Sequence, residues 1–219
     1  AGRSFCWSPY SVASALGLVV AATGGTTHAE LAKALRCGDN PAGLRDMLAD
    51  ASELNATGGG EPPVLAVANT LWAHEQLPLQ DSYLRELRGY PGSALRNAPF
   101  RADPEAARRR INEDVAETTR GLIPELLPAG AVDTETVAAL VNALYLKTSW
   151  QQAWDAQETR PRPFHAPGGQ HDVPTMHVTR KFGYAARDGW QVVSLPAVGD
   201  VDAVVLLPDG DLDRAEPDL

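Results

Sequence analysis

The run from Asp133 to Trp150, DTETVAALVNALYLKTSW, constrains the fold of this chain more than any other stretch. A turn carrying Asp133 and Thr134 leads into Val137, Leu140, Val141, Leu144 and Leu146, with almost no polar alternation. The run then closes on Lys147, Thr148, Ser149 and Trp150. A continuous apolar run enriched in β-formers reads as a strand buried on both faces. Asn142, in its middle, is then a polar group that must find hydrogen-bond partners inside the protein.

Helix signals lie upstream. Ser8-Pro9 places an N-cap and a first-turn proline ahead of Val12, Ala15, Leu16, Val19 and Val20, a nearly all-apolar pattern that predicts a buried helix. Gly24-Gly25 ends it, and Thr26 or Thr27 is expected to cap a short second helix through Leu35. A surface helix is expected over 41–54, a glycine loop over 57–63, a buried strand over 64–72, a helix over 79–87 and an edge strand over 93–97. Asp103-Pro104-Glu105 is a strong helix start, and Gly121 a stop. Beyond Trp150 the pattern changes to short strands near 159–165, 171–180, 182–187, 190–196 and 201–207. No repeat and no clear linker divides the chain, which reads as a single domain with a helical and central-sheet part at 1–155 and a β-rich part at 156–219.

Composition excludes more than it identifies. With 44% hydrophobic and 21% charged residues, the 219-residue chain has the balance of an ordinary globular protein able to bury a sizeable core. A net charge of −9 argues against general binding to nucleic acid or to an anionic membrane, and no apolar run is long enough to span a bilayer. Cys6 and Cys37 are too few for a disulfide framework and lack metal-ligand spacing. The basic residues are nearly all arginine, with Lys33, Lys147 and Lys181 the three exceptions, a bias expected of a high-GC bacterial genome. No secretory leader pattern opens the chain, and localisation stays open between extracellular and cytoplasmic.

The landmarks, taken in order, resemble the serpin family along nearly the whole chain. Ser8 to Leu16 (SPYSVASAL) is similar to the family's S-P-x-S-I-x-x-A-L, and Ala22 to Leu31 to its G-A-x-G-x-T-x-x-E-L segment. Ala68-Asn69-Thr70-Leu71-Trp72 resembles A-N-x-L-W. Ile111-Asn112 through Val115, Thr118 and Gly121 to Leu126-Leu127-Pro128 matches the helix and loop that come next. The Asp133–Trp150 run resembles the T-x-L-V-L-V-N-A-I-Y-F-K-G-x-W strand of the large sheet. Phe182, Tyr184, Leu195-Pro196 and Val204 to Pro208 match later landmarks. The fold this implies is α+β: a large mixed sheet with covering helices plus smaller β-sheets, incomplete at the C-terminus and lacking the family's first helix. Three positions depart from the pattern. Asp114 stands where the family usually has Trp on the helix that lies across the sheet, which removes an apolar docking contact. Thr148 replaces Gly, and Ala153-Trp154 replaces Pro-Phe.

The resemblance implies a serine protease inhibitor that works by suicide: an exposed loop is cleaved, the protease is acylated, and the loop inserts as an extra strand. No segment of this chain matches that loop, so the expectation is a serpin fragment without its reactive bond. The alternative is a non-inhibitory or degenerate serpin-fold binding protein. Ser8, Ser11 and Asn142 match the family's strand-opening region, and Trp150 matches the position where the incoming loop first enters. The partner implied for the full-length form is a serine or cysteine protease, with self-association possible through open sheet edges; no cofactor or metal is implied. Enzyme readings lack support, because no G-x-S-x-G elbow, H-E-x-x-H helix, Walker loop or G-x-G-x-x-G is present. His165, His171 and His177 recur every six residues, a spacing with no established ligand geometry. Arg108-Arg109-Arg110 reads as surface charge rather than a polyanion site.

Overall fold

A computed structural model describes residues 6–38, 40–55, 61–166, 168–210 and 212–215. The glycine loop expected at 57–63 therefore lies largely outside the described residues. The chain divides into two compact units, one built on Ser4–Glu53 and Val64–Lys147, the other on Leu54–Pro63 and Thr148–Leu219.

The larger unit is a three-layer arrangement around one sheet. Its helices are α1 (Pro9–Ala22), α2 (Gly25–Ala34), α3 (Pro41–Ser52), α4 (Asp81–Leu87) and α5 (Pro104–Thr118). Its strands are β1 (Val64–His74), β2 (Ser93–Ala98) and β3 (Ala138–Lys147), in the spatial order β2-β1-β3. β1 pairs parallel with β2 and antiparallel with β3. The two-residue period of a strand separates the faces. Leu71 and Leu140 point to one face and pack with Leu18 of α1, Leu44 and Leu48 of α3, Leu87 and Tyr90. Trp72, Val141 and Ala143 point to the other and pack with Ala98, Phe100 and the α5 residues Ala107, Ile111 and Val115. Those three α5 residues are spaced four apart, which puts them in one row along the helix. β3 is thus covered on both faces only in its middle. Leu146, near its end, is 44% exposed, where the unbroken apolar run predicted burial throughout. The run's length could not reveal that the covering helices stop short of the strand end.

The caps follow the sequence closely, with one exception. Ser8 caps α1 by accepting from the Ser11 N–H at 3.1 Å, and Asp103 caps α5 by accepting from the Ala106 N–H at 2.8 Å. Asn40 does the same for α3, accepting from the Gly43 N–H at 2.9 Å. At α2 neither threonine caps: the helix starts at Gly25 after Gly24, and Thr26 and Thr27 lie within its first turn. α1 is also less enclosed than its composition suggested, since only Ser14, Gly17, Leu18 and Val20 are buried and Val12 faces solvent.

α5 docks on the sheet although its tryptophan position holds Asp114. The carboxylate takes a polar route instead, accepting from Thr70 Oγ1 on β1 at 3.2 Å and pairing with Arg96 Nη1 on β2 at 3.0 Å. The arginine run is also absorbed structurally. Arg108 donates to both Glu105 oxygens, to Glu125 and to the Leu127 carbonyl, and Arg109 reaches Glu105.

The smaller unit is β-rich. β4 (Arg160–Ala166) and β5 (Gly169–Thr175) form an antiparallel pair. β6 (Gly183–Arg187), β7 (Trp190–Ala197) and β8 (Val201–Pro208) form an antiparallel meander in that order. The five strands fall where the turn signals placed them. The second is shorter than expected, because 176–180 carries no strand pairing.

Candidate functional site

Asn142 finds its partner across the β1–β3 ladder. It lies directly opposite Asn69, and its Nδ2 donates to Asn69 Oδ1 at 2.8 Å. Asn69 is fully buried and uses its own Nδ2 twice, donating to Ser14 Oγ of α1 at 2.7 Å and to the Pro91 carbonyl at 2.8 Å. The Asn69 backbone N–H donates to the Gly92 carbonyl at 2.8 Å. One carboxamide therefore joins four segments: β3, β1, α1 and the turn that enters β2. Each polar atom of the Asn69 side chain is satisfied, as a side chain so placed requires.

The two serines singled out at the start of α1 stand beside this cluster rather than in it. Ser8 acts as the helix cap, and Ser11 is half-buried one turn before Ser14. Ser8, Ser11 and Ser14 recur at i+3, which places them along one side of the helix. The third, not the first two, lies over Asn69. Ser14 and Asn69 were missed by reading the sequence, although a signal existed. Asn69 interrupts an apolar strand just as Asn142 does, and Ser14 continues the serine spacing.

Two tyrosines border the same face of the sheet. Tyr90 Oη donates to the Gly17 carbonyl at 3.1 Å, and burial pushes its hydroxyl pKa up. Its ring lies so close to Gly17 that a β-carbon there would sit 2.8 Å from Cε1. Tyr10 Oη donates to the Leu48 carbonyl, and burial likewise raises its pKa. On the opposite face, hydrogen bonding from Arg108 holds the Glu105 carboxyl below its ordinary value of 4.5.

Trp150 belongs to the smaller unit. It forms an isolated antiparallel bridge with Ala197 and is 39% exposed, so it is not plain core packing. The segment around it is laced to the end of β7: Thr148 Oγ1 donates to the Val198 carbonyl at 2.5 Å, the Val198 N–H donates to the Ser149 carbonyl at 2.8 Å, and the Gln151 N–H donates to the Pro196 carbonyl at 3.0 Å. The threonine that replaces the usual glycine thus contributes a side-chain bond that glycine lacks. Cys6 and Cys37 are both free thiols.

The site is a buried polar joint that ties two strands to a helix through the Asn69 carboxamide. The family model for serpins (serine protease inhibitors) matches residues 1–219, and the chain belongs to that family. It is 35% identical to the leukocyte elastase inhibitor of Sus scrofa over 95% of its own length and 56% of the relative's. It is also 35% identical to serpin B8 of Homo sapiens, over 97% of its length and 57% of the relative's. Among solved structures, ovalbumin from emu (Dromaius novaehollandiae) superposes with a TM-score of 0.89 at 25% identity, covering the whole of this chain and 61% of that one. The fold is therefore the serpin fold, and the chain spans little more than half the length of the curated relatives it matches. The bacterial origin expected from the arginine bias finds no support, since the relatives are mostly eukaryotic.

Proposed function

We propose that this chain is the N-terminal part of a serpin-type serine protease inhibitor, one serpin domain in which the β2-β1-β3 sheet is the element that accepts an inserted strand. The whole-chain match to the family supports this reading most directly, and the leukocyte elastase inhibitor among its relatives suggests a serine protease as partner. Asn142, through Asn69 and Ser14, would then fasten β3 to β1 and α1 beside the edge of β3 left free among the described residues, where an added strand would have to pair. Ser8 and Ser11 contribute by fixing the start of α1, and Trp150 marks where the loop enters. The chain supplies no catalytic group of its own in this scheme.

The test compares two polypeptides against a panel of leukocyte elastase, trypsin, chymotrypsin and subtilisin. The product of the complete reading frame is expected to form a covalent complex that survives boiling in detergent with at least one of them. The 219-residue polypeptide alone is expected to form none, because no segment in it matches the cleaved loop. Cleavage of the longer product by all four without a complex would favour the non-inhibitory alternative. A covalent band from the 219-residue polypeptide would overturn the assignment of the reactive bond.

Self-association is part of the same reading. Among the described residues β8 pairs only with β7, and it carries Val204, Val205, Leu206 and Leu207 exposed in succession. Both its faces therefore present apolar side chains beside an unpaired strand edge. Sedimentation of the 219-residue polypeptide at micromolar concentration is expected to show dimers and larger species. A sharp monomer boundary that persists on concentration would rule this out.

A further inference from the structure

We infer that α5 is fastened to the sheet by a charge latch at Asp114, so that the docking of this helix, unlike the rest of the core, is tuned by ionic strength. The Asp114 side chain is 9% exposed yet ionisable, and its two oxygens go to two different strands, Oδ2 to Thr70 of β1 and Oδ1 to Arg96 of β2. The Arg96 guanidinium in turn lies 5.6 Å over the Trp72 ring, which packs with the α5 residues of the core. Helix, two strands and the tryptophan are thus tied through one carboxylate.

The loop leaving the C-terminal end of α5 is tied back to the helix by polar contacts. Asn112 Oδ1 accepts from the Leu126 and Leu127 N–H groups at 3.0 and 2.9 Å, and its Nδ2 donates to the Leu127 carbonyl at 2.9 Å. Arg108 adds its bonds to Glu125 and to the same carbonyl. Residues 104–127 therefore behave as one body. Its attachment to the sheet includes an apolar row, the Asp114 latch and, past the helix end, the Arg120 guanidinium 5.0 Å over the Tyr145 ring of β3.

The latch is open to solvent ions on one side. A cleft of about 330 Å³, lined by Trp72, Arg96, Asn97, Arg110, Asp114 and Glu117 among others, runs beside the pair. Arg96 is 52% exposed within it. A pair at the wall of such a cleft is screened by salt, whereas the apolar row is not. Arg110 and Glu117 also line the cleft, but the Asp114 oxygens go to Arg96 and Thr70.

Hydrogen exchange on the whole 219-residue chain, resolved by peptide, tests this. In the unmodified protein, amide exchange across 104–118 is expected to speed up several-fold between about 0.05 and 0.5 M sodium chloride, while exchange in the middle of β1 and β3 stays constant. Asp114→Asn is expected to raise α5 exchange about tenfold at low salt, the loss of one charged hydrogen-bond pair, and to abolish most of the salt response. Arg96→Gln should do the same, and the two changes together should add little beyond either alone. Asp114→Leu, which restores an apolar contact, should give salt-independent exchange. Glu117→Gln, in the same cleft without a place in the latch, is the control and should leave the salt response intact. A salt response that survives Asp114→Asn, or α5 exchange that rises only together with β1 and β3, overturns the latch. If Asp114→Asn does not fold, the salt response of the unmodified protein and of Arg96→Gln still decides the question.

Discussion

Replacing Asn69 with alanine is expected to destabilise the larger unit by about 3 kcal/mol, the largest loss from any single polar side chain in it. The carboxamide is fully buried and makes three bonds, to Asn142, Ser14 and the Pro91 carbonyl. Truncation leaves the fully buried Ser14 hydroxyl and the half-buried Asn142 amide and Pro91 carbonyl without their partner, and an orphaned buried group costs about 1–3 kcal/mol. Asn142→Ala, which removes one bond from a half-buried position, should cost about half as much. The double variant should cost clearly less than the sum, because Asn142 has already lost its acceptor once Asn69 is gone. Urea unfolding followed by circular dichroism measures the three values. Additive effects, or an Asn69→Ala cost below about 0.5 kcal/mol, would mean that the four segments are not joined through this side chain.

That network also shows how far the sequence could be read. Asn142 was recognisable because a carboxamide in a both-sides-apolar strand must be paired inside, and that requirement holds wherever the strand lies. Its partner was not recognisable, because pairing depends on register. Only the β1–β3 ladder sets Asn69 opposite Asn142, and only the seat of α1 on the sheet brings Ser14 rather than Ser8 or Ser11 over the pair. Elements with strong local punctuation were legible for a related reason. Ser8-Pro9 and Asp103-Pro104 each carry their cap within three residues, so no distant contact is needed to define them. At α2 the sequence predicts a cap at Thr26 or Thr27, but the helix begins at Gly25, which takes a left-handed φ of +61° after Gly24. Asp114 is the opposite case. The family pattern counted it as a lost contact, and only the placement of Thr70 and Arg96 on neighbouring strands turns it into a gained one. Trp150 was legible as a landmark but not as an exposed residue, since its environment depends on the short bridge to Ala197.

The largest effect in the molecule is expected at Gly92. The residue sits at φ +62°, in the left-handed region, at the entry to β2. A β-carbon added there would overlap the Val67 carbonyl oxygen and lie 2.8 Å from its carbon, both of them backbone atoms of β1 that cannot swing aside. Gly92→Ala must therefore push the Tyr90–Gly92 turn away from β1. That movement breaks the bond from the Asn69 N–H to the Gly92 carbonyl and pulls the Pro91 carbonyl from Asn69 Nδ2. It also draws Tyr90 off α1. The combined cost is on the order of 4 kcal/mol, the range that marks a strained backbone clash rather than ordinary truncation. Gly121 provides the comparison, at φ +80° with no described atom within 4 Å of an added β-carbon. Its alanine variant carries the conformational penalty alone, about 1 kcal/mol. The difference between the two variants, read from their urea midpoints at equal slope, isolates the collision with β1. If Gly92→Ala cost no more than Gly121→Ala, the turn would have room to move, and Asn69 would not be held as tightly against it as these distances require.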